Sequence, residues 1–247
     1  MSNPGGVPCF AFGDVGSTND EAFRIGRAQN LDLFFVTGER QLQGRGRRGR
    51  PWVSEKGNLY TSIYLREPSG ADEAPGLSFV AAVALHEAVS DLCGPDADDA
   101  CRVKWPNDLL WKGAKIAGLL LEARHTGNRL DIVIGVGVNC SHAPEDTPYQ
   151  ATSLRAEGQG VSPDQLFDAF RPAFLTNLHL WDRGANFSAI RKKWLQRAIG
   201  LGDAIVVRLD EQDFRGQFRD LDAAGRLILQ EKDGTERIIS AGDVFFN

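Results

Sequence analysis

The sequence predicts an α+β domain followed by a small all-β barrel or meander. Three observations carry that prediction. Helical and alternating apolar patterns are interspersed up to residue 198, with hairpins as well as crossovers joining the strands. From Gly200 onward only short alternating runs separated by turn residues remain. Hydrophobic residues make up 42% of the 247 positions and charged residues 25%, the balance of a chain that buries a core. The boundary falls near residue 199, giving domains 1–198 and 199–247.

Taken in order, the first helix should open at Ser17-Thr18-Asn19-Asp20-Glu21 and run to about Ala28. Ser17 with Asp20, and Thr18 with Glu21, both have the spacing of a capping box. Leu33-Phe34-Phe35-Val36 reads as a buried strand, and 59–65 alternates as a second. Pro75 opens a long amphipathic helix with Leu77, Val80, Ala81, Ala84, Leu85, Ala88 and Leu92 at helical spacing, ended by Gly94-Pro95. Strand-like runs follow at 101–105, 115–123 and 130–139, the last two joined by a turn at His125-Thr126-Gly127-Asn128. Ser162-Pro163 caps another helix, with Phe167, Phe170, Phe174, Leu175 and Leu178 inward, and 187–198 forms a third long one. Runs at 203–209, 214–220 and 226–230, with turns at 222–225 and 232–234, build the terminal barrel or meander.

The whole-chain numbers exclude several classes. Acidic residues outnumber basic ones, 33 to 28, a net charge of −5, which argues against a protein living on duplex DNA. No apolar run approaches the roughly 20 residues of a membrane span, and the first six residues show no signal-peptide pattern. Cys9, Cys93, Cys101 and Cys140 lie far apart with no CxxC pair, so they read as reduced, mostly buried thiols of a cytoplasmic protein.

Two segments carry chemistry. Gly44-Arg45-Gly46-Arg47-Arg48-Gly49 has the form GxGxxG, but no helix follows it, so a dinucleotide fold does not fit. Arg50-Pro51 stands where a P-loop needs Lys-Ser/Thr, and no kinase HRD or DFG follows. What remains is Arg40, Arg45, Arg47, Arg48 and Arg50 in one glycine-hinged segment, suited to phosphate oxygens or, alternatively, to solvent or RNA. The second segment is Lys104-Trp105-Pro106-Asn107-Asp108, a cation, aromatic, amide and carboxylate at one strand end. Lys115 precedes Ala117 and Gly118, small enough for a ligand to reach the backbone, and Gly135 and Gly137 alternate on one strand face, clearing space for a flat group.

In this order and spacing the segments resemble the biotin protein ligases. The resemblance rests on Gly16-Ser17-Thr18-Asn19, on Gln41 through Trp52 with its GRGRRGR core, on KWPND at 104–108, on KIAG at 115–118 and on GVGVN at 135–139. Leu42-Gln43 departs from the two small residues usual there, and no helix-turn-helix segment precedes Val7, so the resemblance is to the form without a DNA-binding domain. It implies a mixed-sheet catalytic domain of the biotin/lipoate ligase type with a Src-homology-3-like terminal barrel. The implied reaction is ATP-dependent formation of biotinyl-5′-AMP, with Mg²⁺, and transfer of biotin to a lysine of a biotin carboxyl carrier protein domain, without DNA or membrane partners. Homodimerisation stays open.

The resemblance also implies roles for residues. Lys115 is the catalytic lysine between biotin carboxylate and α-phosphate, with Arg47 beside it. Ser17, Thr18, Asn19, Gln41, Gly44, Arg45, Lys115 and Gly118 bind biotin. Arg47, Arg48, Arg50, Trp52, Lys104, Asn107 and Asn139 bind the adenylate or phosphates, and Asp108 is the carboxylate nearest Mg²⁺. The competing readings are a lipoate or octanoate ligase of the same fold and a non-enzymatic RNA-binding protein.

Overall fold

The structure, a computed structural model, describes residues 6–209 and 212–246; the opening residues read for a signal peptide lie largely outside these. Among the described residues the chain forms two sheets. The first has seven strands: β1 (Cys9–Val15), β2 (Leu33–Gln41), β3 (Leu59–Arg66), β4 (Cys101–Lys104), β5 (Asp108–Trp111), β6 (Ala114–Thr126) and β7 (Arg129–Val138). Their order is β1-β2-β3-β7-β6-β5-β4. β1 and β2 are parallel and every other pair is antiparallel, so the sheet is mixed.

Period-two alternation sorts the side chains onto two faces. Phe34, Val36, Tyr64 and Val133 meet Ala22, Phe23 and Ile25 of helix α1 (Thr18–Ala28). Phe35, Ile63, Leu65, Ile132 and Ile134 face the larger core under α2 (Gly76–Cys93), α4 (Pro163–Trp181) and α5 (Phe187–Arg197), with α3 (Ala97–Ala100) a single turn before β4. α2 is buried on nearly all sides rather than along one stripe, and its expected core residue Leu92 is 38% exposed. Its unbroken apolar run therefore belongs to a core helix. Phe170 and Phe174 are fully buried, whereas Phe167, Leu175 and Leu178 pack at the core's margin.

The two expected helix starts differ. Ser162 forms a capping box with Gln165, its hydroxyl accepting from the Gln165 N–H while the Gln165 side chain accepts from the Ser162 N–H. Ser17 is the N-cap of α1, but its side chain makes no capping bond. The Thr18 N–H instead donates to Gln41 Oε1 at 2.9 Å, so a β2 side chain satisfies the helix end.

The second sheet comprises β8 (Ala204–Leu209), β9 (Gln212–Leu221), β10 (Leu227–Gln230), β11 (Glu236–Ile239) and β12 (Asp243–Phe246), all antiparallel, in the order β11-β10-β9-β8-β12. It is joined firmly to the first part. Ile205, Val207, Phe218, Leu221, Leu227 and Leu229 belong to the same core as α2 and the first sheet. The Trp105 indole N–H donates to the Gly225 carbonyl at 3.0 Å.

Candidate active site

The α1-facing side of the first sheet changes character along its strands. Tyr64, Val133 and Glu122 form one cross-strand row; Ser62, Gly135 and Leu120 the next; Tyr60, Gly137 and Gly118 the third. The glycines remove side chains just where α1 begins, and a narrow cavity of about 70 Å³ opens there. Ser17, Thr18, Asn19, Gln41, Arg45 and Lys115 contribute to its lining. A wider cavity of about 410 Å³ lies between the 104–108 turn, the 148–150 segment and β12. Gly46, Arg47, Trp52, Asn107 and Lys115 line both.

The flat group that Gly118 and Gly137 accommodate is the protein's own Trp52. A Cβ at Gly137 would lie 2.7 Å from the indole, and one at Gly118 would lie 3.0 Å from it. The Trp52 indole N–H is buried with no acceptor among the described residues. Gly135 serves α1 instead: a Cβ there would lie 2.4 Å from Asn19 Oδ1.

The arginine segment folds back on itself. Trp52 N–H donates to Gly44 O at 2.9 Å and Gly46 N–H to Arg50 O at 2.8 Å, with a single 3₁₀ turn, Arg47–Gly49, at the tip. Gly44 stands at the base, where a Cβ would meet Ser54 and the Trp52 carbonyl at 2.7 Å, and it does not line the narrow cavity. Arg45 turns inward to Asp20 (2.7 Å) and Glu122 (2.9 Å). The Asp20 hydrogen bond chiefly raises the Arg45 pKa, and Arg45 in turn holds the Asp20 carboxyl below its ordinary value. Arg47 and Arg50 reach the other way, to the two oxygens of Asp243 at 3.0 and 2.7 Å, and Arg47 also donates to Gly242 O. Burial lowers the Arg47 pKa, opposed by Asp108 and Asp243. Arg48 occupies the exposed tip in a left-handed conformation (φ 57°), outside the lining of both cavities.

Lys115 stands where the cavities meet. Its ammonium is 2.7 Å from Asp108 Oδ1 and lies over the rings of Trp52 (5.5 Å) and Tyr149 (5.1 Å). Lys104 lies between the wide cavity and the rings of Phe245 and Phe246, at 5.9 and 5.6 Å, and burial lowers its pKa. The Asn107 amide donates to Leu119 O and thereby ties the 104–108 turn to β6. Asn139 is placed otherwise than expected. It is 3% exposed, lines neither cavity, and donates to Thr152 O at 3.1 Å, stapling the 151–154 segment to the sheet.

Asp108 offers one carboxylate, already matched by Lys115. No cluster of three or more His, Cys, Asp or Glu that could hold a metal occurs among the described residues. That donor set does not make a resident Mg²⁺ site; an ion carried on phosphates needs only one or two protein carboxylates, a role that Asp108 can fill. Asp243, Tyr149, Glu122 and Ser62 join the site without having been anticipated. A carboxylate closing the apolar run Leu119-Leu120-Leu121-Glu122 was a readable signal; Asp243 had none.

Comparison with known proteins decides the lineage. The biotin/lipoate A/B protein ligase family matches residues 14–139, and the biotin protein ligase C-terminal domain matches 200–247. The chain belongs to this family. It is 38% identical over 240 residues to the biotin–[acetyl-CoA-carboxylase] ligase of Paracoccus denitrificans, covering 93% of this chain and 97% of that relative. The Aquifex aeolicus biotin protein ligase solved with biotin and ATP shares the fold, with a TM-score of 0.81 at 23% identity over 97% of this chain and 99% of that one. The Leishmania major biotin protein ligase solved with biotinyl-5-AMP gives 0.69 at 26% identity over 97% and 100%. The α+β fold with its mixed sheet is thus that of a biotin protein ligase, and the second sheet is the family's small Src-homology-3-like terminal domain.

Proposed function

We propose that this protein activates biotin with ATP to biotinyl-5′-AMP and passes the biotinyl group to a lysine of a biotin carboxyl carrier protein domain. It is an ATP-dependent, AMP-forming biotin–[biotin carboxyl-carrier protein] ligase. The observation that carries this reading is the meeting of two unlike cavities at Lys115. One is narrow and lined by the neutral Ser17, Thr18, Asn19 and Gln41 together with Arg45, Arg47 and Lys115; the other is wide and ringed by Arg47, Arg50 and Lys104. A carboxylic acid with a polar head suits the first, and a polyphosphate suits the second.

The chemistry follows from charge and placement. A carboxylate attacking an α-phosphate brings two anions together, so positioning and charge neutralisation dominate the barrier. Lys115, released from Asp108, supplies one compact cation between them. Arg47 and Arg50 exchange Asp243 for phosphate oxygens. Trp52 rests on Gly118 and Gly137 where the two cavities meet, so it is the ring that a bound adenylate would encounter. The loop then shields the mixed anhydride from hydrolysis until an acceptor amine arrives. Mg²⁺ enters on the nucleotide, and no step is assigned to a protein-bound ion.

The domains run 1–198 and 199–247, the second contributing β12 to the nucleotide side. The thiols, two of them buried and none bonded to another, suit a reducing cytoplasm. The test is direct: incubation with biotin, ATP, Mg²⁺ and a carrier domain should yield a biotinylated lysine, and lipoate in place of biotin should not support pyrophosphate exchange. A lipoyl-modified carrier with no biotinyl product would establish the competing lipoate reading.

A further inference from the structure

Glu122 has no role in the reaction just described, yet it anchors a buried hydrogen-bond chain along the narrow cavity. Glu122 Oε2 accepts from Asn19 Nδ2 at 2.7 Å, and Leu120 O lies 3.5 Å from the same nitrogen. Two acceptors on one side fix the amide, so Asn19 Oδ1 points inward. There it meets Ser62 Oγ at 2.6 Å; Ser62 Oγ meets Thr18 Oγ1 at 2.8 Å; Thr18 Oγ1 meets Gln41 Oε1 at 3.1 Å. The far end is fixed as well. Gln41 Oε1 accepts the Thr18 N–H at 2.9 Å while Gln41 Nε2 faces Ser54 Oγ at 3.3 Å, so this amide cannot be turned round.

The protons can now be counted. Three short oxygen–oxygen contacts run between two carbonyl oxygens, which only accept. Ser62 and Thr18 are the hydroxyls between them, and each carries one proton. Two protons cannot serve three contacts, so one pair of lone pairs faces each other unbridged. Thr18, Asn19 and Gln41 line the cavity, and Ser62 is fully buried behind them. A ligand N–H delivered to this wall supplies the missing hydrogen; a ligand that brings only acceptors or hydrocarbon does not. An unmet buried acceptor is costly, which turns the shortage into selectivity.

We propose that Glu122 is a specificity-determining positioning residue. By holding the Asn19 amide with its oxygen inward, it leaves the pocket wall one hydrogen short and selects ligands that present N–H donors, such as a cyclic urea, over carboxylic acids that present none. The inference rests on the biotin reading above. Arg45, bonded to both Glu122 and Asp20, keeps the carboxylate in place.

Substitution at two positions tests the proton count. In Glu122→Gln the Asn19 amide is free to turn; its NH₂ then donates to Ser62, all three contacts are served, and the pocket no longer calls for a donor. Biotin affinity by calorimetry should fall on the order of tenfold or more, while octanoate, which has no N–H, should lose nothing. Adding Asn19→Asp to Glu122→Gln restores an inward acceptor, with the introduced glutamine amide donating to the introduced carboxylate, and should recover most of the biotin affinity. Ser62→Ala, which does not touch Arg45, takes away the hydroxyl that serves Asn19 Oδ1, so the wall still calls for a donor and the preference for biotin over octanoate should survive. Circular dichroism verifies folding in each case. A folded Glu122→Gln protein that binds biotin like the wild type overturns the proposal. So does a double variant that gains nothing over Glu122→Gln, since a merely structural role would not be rescued by inverting the pair. If Glu122→Gln does not fold, a folded Ser62→Ala protein that has lost the preference for biotin over octanoate overturns it alone. Wild-type protein that binds no biotin at all would instead defeat the functional reading.

Discussion

On the α1 side of the narrow cavity the polar groups are neutral, buried and bonded to one another. On the loop side they are cations, partly exposed, and held by a carboxylate from the opposite end of the fold. Thr18, Asn19 and Ser62 are each under 5% exposed and sit on a helix start and a central strand. The side chains of Arg47 and Arg50 are 32% and 56% exposed and both lean on Asp243. Neutral groups can be buried permanently because their desolvation cost is modest once they are hydrogen-bonded into a chain. Guanidinium groups gathered for a polyanion repel one another in its absence, so they need a substitute anion that can be given up. The first arrangement suits recognition of a constant shape; the second suits a charge that arrives and leaves.

The largest effect expected from breaking this division is at the junction. Lys115→Ala should cut pyrophosphate exchange by about 10²–10³-fold, the usual cost of one transition-state electrostatic contact. Circular dichroism should show an intact fold. Lys115→Arg should recover only part of the rate, because a planar fork cannot replace a compact charge. Exchange within a few-fold of wild type in Lys115→Ala would move the role to Lys104.

Arg47→Gly comes next. It removes a charge-assisted phosphate contact of about 1.5–3 kcal/mol and should release biotinyl-AMP early. The readout is nonspecific biotinylation of bystander lysines; retention of the intermediate for as long as wild type would remove Arg47 from the lid.

A smaller effect is expected at the substitute anion itself. Asp243→Asn should speed hydrogen exchange of residues 45–52 in the absence of ligand and leave it unchanged with the adenylate bound. Equally slow exchange in both states would show that the latch does not hold the loop.

The smallest effect is on pH. Burial alone would raise the Asp243 carboxyl, but Arg50, then Arg47 and Arg48, outweigh it and hold the pKa below the carboxylate's ordinary value. A lowered carboxylate pKa stabilises the folded state above its unfolded value and loses that contribution as pH falls through the folded one. Loop protection should therefore fade below the ordinary carboxylate range in the wild type and show no such step in Asp243→Asn.

The neutral wall was largely legible in the sequence, and the latch was not. Lys115, Gly118, Gly135 and Gly137 announce themselves because strand alternation converts spacing into a shared face. Ser17-Thr18-Asn19 announces a helix start, although the bond that satisfies it comes from Gln41. β1 escaped because Cys9–Val15 is an edge strand, largely exposed or half-buried. β5, β11 and β12 are four-residue strands that the apolar pattern did not mark off. Asn139 sits in a glycine-rich motif and was read with it, whereas its amide serves backbone. Asp243 could not be found from sequence, because nothing local distinguishes it from Asp222 or Asp233, both of which merely close turns. The terminal strands share the core, so a cut after Ala198 would expose Trp105, Phe79 and α2.

The separation between Arg47 and Asp243 is 196 positions along the chain. A ribosome delivers the arginines well before their counter-charge. Until β12 pairs with β8, the nascent polypeptide has its nucleotide-side cations in place with nothing to restrain them. Pairing of β12 with β8 and restraint of the arginine loop thus become the same event, and a chain lacking β12 is left with its loop cations unmatched by Asp243.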